Sequence, residues 1–100
     1  MTEYTTQDGN TAPDLLMRGI RLMEQRGKQY DQPAGERSMA AAVEAFNAIT
    51  REQLTESDGW LLLALLKMVR DNQREAAHRD SIEDLVAYAA LYGESRLGGR

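Results

Sequence analysis

Apolar residues recur at three- and four-residue steps along most of this chain, and no segment alternates with the period of two that marks a half-buried strand. Leu15, Leu16, Gly19, Ile20, Leu22 and Met23 form a first stripe. Pro13 suits its opening turn, where a fixed φ helps and no N–H is needed. Gly27 is placed to end it as a left-handed residue. Met39, Ala42, Val43, Phe46 and Ile49 predict a second helix over 36–49, with three consecutive alanines that allow close helix approach. The third helix is predicted over 57–74. Its segment 60–66 is apolar on every side, the mark of a central helix. Ile82, Leu85, Val86, Ala89 and Tyr92 predict a fourth.

Boundary signals agree with these periods. Thr55 and Asp58 have the spacing of a capping box, with Leu54 as its staple. Asp80 is placed as the cap of the fourth helix, whose acidic first turn complements the helix dipole. Ser38 reads as a helix-start residue. The predicted fold is all-α: a four-helix, antiparallel, bundle-like domain over 12–97. Residues 1–11 are expected to form a flexible tail, and residues 98–100 to fray. One hundred residues cannot easily cover a helix that is apolar all round. A homodimer is therefore expected, burying Trp60 or its neighbours and the alanine face of the second helix between subunits.

Composition narrows the function classes. A 42% hydrophobic and 28% charged chain is that of a soluble globular domain. There is no cysteine, which excludes disulfides, thiolate metal sites and thiol catalysis. A net charge of −4 argues against generic nucleic-acid binding, which needs a basic footprint. The 60–66 run is far too short to cross a membrane, and no signal-peptide pattern opens the chain.

Two groups of residues could carry chemistry. Arg26, Lys28, Tyr30 and Arg37 lie in or beside a loop predicted over 27–36. Cations beside an aromatic face suit a nucleotide, with charge-assisted bonds to phosphate and stacking on the base. The plain alternative is a loop of solvated charges. Lys67 and Arg70 share one face of the third helix; Asp80 and Asp84 share one face of the fourth. A short link makes these helices antiparallel neighbours, so the four side chains are expected to converge. They would form either a structural salt-bridge cluster or a polar pocket for a phosphate group. His78 is the only histidine, so zinc is not expected, and it reads as a solvated or capping residue. Ser38 has no evident catalytic partners. Trp60 is a core or interface anchor, and Met17, Met23, Met39 and Met68 fill core gaps.

The segments Arg-Gly-Lys-Gln-Tyr-Asp at 26–31, Gly-Glu-Arg-Ser-Met at 35–39, Ala-Phe-Asn-Ala-Ile-Thr at 45–50, Leu-Lys-Met-Val-Arg at 66–70 and Asp-Ser-Ile-Glu-Asp at 80–84 resemble a family of small phage and prophage proteins of unassigned function. That resemblance spans about residues 14 to 95 and implies a bacterial host cytoplasm. A more distant likeness is to the MazG-type all-α nucleoside triphosphate pyrophosphatases. Those are helical, usually dimeric, and hold magnesium with acidic pairs on two successive helices. Asp80, Glu83 and Asp84 approximate the second pair, but Lys67 and Arg70 stand where the first would be.

The expected function is a small phage accessory protein that binds a nucleotide-like or phosphate-bearing ligand without efficient catalysis. No cofactor is expected, and magnesium enters only if the likeness to pyrophosphatases carries activity. An interaction protein that binds and inhibits a host protein is the alternative, and a weak nucleotide pyrophosphatase is a third.

Overall fold

The computed structural model describes residues 9–29 and 38–98, with side chains for 9–25 and 38–98. Every element in them is helical: α1 (Ala12–Gln29), α2 (Met39–Thr50), α3 (Glu56–Asn72) and α4 (Arg79–Arg96). The all-α expectation holds. The principal packing runs α1 on α4, α4 on α3 and α3 on α2. The helices thus lie in a row, with the α3–α4 hairpin at its centre.

Local chemistry sets where each helix begins. Thr11 Oγ1 accepts from the Asp14 N–H and the Thr11 N–H donates to Asp14 Oδ2, both at 3.2 Å, which closes the first turn of α1. α1 runs on to Gln29, so Gly27 lies inside the helix instead of ending it. Ser38 stands at the start of α2 without a side-chain cap bond. The capping box of α3 forms as expected: Asp58 N–H donates to Thr55 Oγ1, and Thr55 N–H donates to Asp58 Oδ2. The cap of α4 is His78 and not Asp80. Its ring Nδ1 accepts from the Ser81 N–H, while its own N–H donates to Asp71 Oδ1 at 2.8 Å. An imidazole nitrogen does here what a carboxylate oxygen was expected to do two residues later.

Three pairs fix the antiparallel register of α3 and α4. Ser57 and Ser95 hydroxyls meet at 2.8 Å at one end. Lys67 and Asp84 pair near the other. Between them Trp60 stacks on Tyr88, ring centroids 5.9 Å apart, and donates from Nε1 to Glu56 Oε2. Ala64 and Ala87 are both buried, and their small side chains suit close approach of the two backbones. Trp60 is 1% exposed. It is therefore part of the α3–α4 core and unavailable to a subunit interface.

The predicted stripes are only partly buried. On α1, Gly19 is buried, with its Cα facing Val86, but Leu16 and Ile20 are exposed. On α2, Val43 is buried while Phe46 and Ile49 face outward. On α4, the buried set is Ser81, Glu83, Ala87 and Leu91, and Ala89 is exposed. The reason is that α4 lies between two neighbours. It turns Asp84, Tyr88 and Ser95 to α3, and Glu83 and Val86 to α1. A helix packed on both sides does not follow a single apolar stripe.

α2 meets α3 across Gly59. A Cβ there would lie 2.9 Å from Val43 Cγ2 and would also collide with the Met39 side chain. The α2–α3 turn is held separately: Asn47 Nδ2 donates to the Leu54 carbonyl, and Leu54 N–H donates to Asn47 Oδ1. Gly59→Ala should therefore push α2 away while the turn survives. Overpacking of this kind costs about 1–3 kcal/mol. Urea melts of the variant, with hydrogen exchange read over 39–50, should show faster exchange in α2 than in α4.

Candidate functional site

Of the four residues expected to converge between α3 and α4, two do. Lys67 Nζ lies 3.0 Å from Asp84 Oδ2, with side chains only 14% and 19% exposed. Arg70 and Asp80 are exposed, and neither forms an ion pair among the described residues. Helix geometry explains the split. Three residues turn a helix by about 300°, so Arg70 sits roughly 60° round from Lys67, off the line facing α4. Asp80 belongs to the first turn of α4, past the point where Lys67 reaches it. The other candidates, Arg26, Lys28, Tyr30 and Arg37, lie outside the described side chains.

Lys67 borders an open surface groove whose other walls include Met68, Val69, Ile82 and Leu85. Its ammonium is turned to Asp84, so the groove is lined chiefly by apolar side chains. A phosphate entering here would compete with a carboxylate already in place. Such a part-buried, charge-assisted contact is stronger than a solvated one.

A second ionic cluster joins α1 to α4, and sequence reading did not find it. Glu83, 7% exposed, receives Arg18 Nε on Oε1 at 3.3 Å and Arg79 Nη1 on Oε2 at 3.2 Å. Arg79 also donates to the Gly9 carbonyl and to Asn10 Oδ1. Arg21 and Asp14 line the same small hollow. The Arg79–Glu83 half was legible as an i,i+4 pair. Arg18 was not, because its partner is 65 positions away in sequence.

These placements bear on metal chemistry. Asp80 is solvent-facing, Glu83 turns to α1 and Asp84 turns to α3, the last two each against a cation. Among the described residues no three acidic or histidine side chains gather as a metal site would need. No described helix is long and apolar enough to cross a membrane.

The molecule's third distinctive surface is apolar. Along α3, Leu61, Leu62, Leu65, Met68 and Val69 are 43–66% exposed. Phe46 and Ile49 on α2 are exposed as well. The structure thus defines a small all-helical domain whose ion pairs join helix to helix and whose most apolar helix is half uncovered. The chain belongs to the DUF6378 family, a domain of unknown function, whose family model matches residues 15–96. No curated protein and no solved structure gives a significant match.

Proposed function

We propose that this chain is a non-catalytic protein-interaction module that works by covering apolar surface. One observation carries the reading: α3 buries Trp60 and Ala64 while leaving six large apolar residues exposed, Leu61, Leu62, Leu65, Leu66, Met68 and Val69. Contiguous apolar patches of more than a few hundred Å² are uncommon on soluble monomers and mark interaction surfaces. The resemblance to small phage proteins suits an accessory role in which a bacterial host protein is bound and inhibited. Replacing Leu61 and Leu65 together with Glu should leave the far-ultraviolet helix signal intact. It should abolish association of the chain with any protein, itself included, as read by sedimentation. Unchanged association would refute the reading.

A second reading, binding of a nucleotide-like or phosphate-bearing ligand, would seat that ligand in the groove beside Lys67, in competition with Asp84. It predicts a rise in melting midpoint with nucleotides by mass action, with or without magnesium. Pyrophosphate release is expected to be absent or very slow, because Lys67, where the likeness to MazG-type enzymes would put a metal ligand, repels the cation that phosphoanhydride attack requires.

A further inference from the structure

The open face of α3 has an internal order that points to its occupant. Asp58, Leu61, Leu65, Met68 and Asn72 follow one another at steps of three, four, three and four residues. That is the spacing of a seam between two helices. Leu62 and Val69 flank the seam on one side. The order is also symmetric about Leu65. Reversing the helix about that residue exchanges Leu61 with Val69, Leu62 with Met68 and Asp58 with Asn72. Apolar positions fall on apolar positions, and polar ends fall on polar ends. A surface complementary to its own reverse is what a two-fold, isologous contact requires.

Helix dipoles point the same way, because antiparallel copies of α3 oppose them favourably. Leu61, Leu62, Leu65, Met68 and Val69 expose on the order of 400 Å², about half of the ~800 Å² that each partner buries in a standard interface, so surface flanking α3 must supply the rest of the contact.

We propose that the occupant is a second copy of this chain. α3 packs against the partner's α3, antiparallel, with Leu65 on the two-fold axis. The inference rests on the interaction reading above and gives it a partner and a register. Trp60 stays in the core of each subunit, and its neighbours one and five residues on form the contact.

The chain has no cysteine, so single cysteines report the register cleanly. Disulfides need Cα atoms closer than about 7 Å. Leu65→Cys should give a covalent dimer under mild oxidation. Leu61→Cys alone should not, since the two copies of position 61 stand about 12 Å apart along the axis at 1.5 Å per residue. Leu61→Cys mixed with Val69→Cys should cross-link. Leu16→Cys, on the exposed face of α1, is the control and should stay monomeric on a denaturing gel. Sedimentation of the unmodified chain at tens of micromolar should give twice the monomer mass.

A monomer in that experiment overturns the proposal. So does a dimer in which Leu61→Cys links to itself, which would mean parallel helices or an antiparallel register centred on position 61. A dimer that withstands Leu65→Glu, and that forms no cross-link in the Leu65→Cys variant, also overturns it, yet leaves the wider interaction reading standing. That wider reading fails separately, if the Leu61 and Leu65 charge variant changes no association at all.

Discussion

Trp60→Ala is expected to lower stability by about 3–5 kcal/mol, the range for emptying a large aromatic site in a core. Among the described residues, Trp60 is the one large side chain that the fold buries completely, at 1% exposure. The substitution removes the indole from between α3 and α4, ends its stack on Tyr88 and leaves Glu56 without the Nε1–H donor. The rest of the described core is thin. Val43, Ala64, Ala87 and Leu91 are its other buried apolar residues, and two of them are alanines. Little remains that could collapse into the space. A domain whose total stability is ~5–15 kcal/mol has a narrow margin for such a loss. Urea titration followed by circular dichroism checks the figure. Trp60→Phe keeps the ring stack and should cost clearly less. A loss below about 1 kcal/mol for Trp60→Ala, far under the usual cost of such a cavity, would mean that the α3–α4 hairpin does not depend on this side chain.

Lys67→Ala is expected to cost about 2–3 kcal/mol, somewhat less than the roughly 3–5 kcal/mol for breaking a fully buried pair, where the remaining charge is left without compensation. Asp84 keeps 19% of its side-chain exposure, and water reaching it lowers the cost. Lys67→Met retains most of the packing stem, so it separates lost charge from lost contact. A double-mutant cycle with Asp84→Ala should return a coupling of about 1–2 kcal/mol, since neither partner is fully solvated. The same variants test the ligand reading. If Lys67 serves mainly to join α3 to α4, losing it lowers the baseline melting midpoint and leaves any nucleotide-induced rise unchanged. If it holds phosphate, the rise itself disappears.

Much of the fold was legible because helices declare themselves locally. The Thr55–Asp58 capping box and the 60–66 apolar run each depend on residues within one or two turns of one another. α3 therefore appeared in sequence nearly as it folds, within two residues at each end. The start of α4 was misplaced because its cap is an imidazole. His78 is fixed by Asp71 across the turn, a contact that propensity does not encode. The Lys67–Asp84 pair could be anticipated from a short connection between antiparallel helices. Arg70 and Asp80 could not be sorted from it, since the fate of Arg70 depends on a rotation of about 60° and that of Asp80 on how far along α4 Lys67 reaches. The place of Arg18 beside Glu83 and Arg79 was hidden for another reason: it joins the first helix to the last.

Local patterning along the chain is enough to lay down the helices and to create the conflict at the centre of this protein. Patterning is a local property, and it makes α3 more apolar than α4 and α2 together cover. Which side of α3 is satisfied depends on packing between segments far apart in the chain. The register set by Ser57 with Ser95 and Lys67 with Asp84 turns Trp60 and Ala64 inward. The same rotation turns Leu61, Leu62 and Leu65 outward. A helix has two sides, and local propensity is blind to which of them a distant segment will occupy.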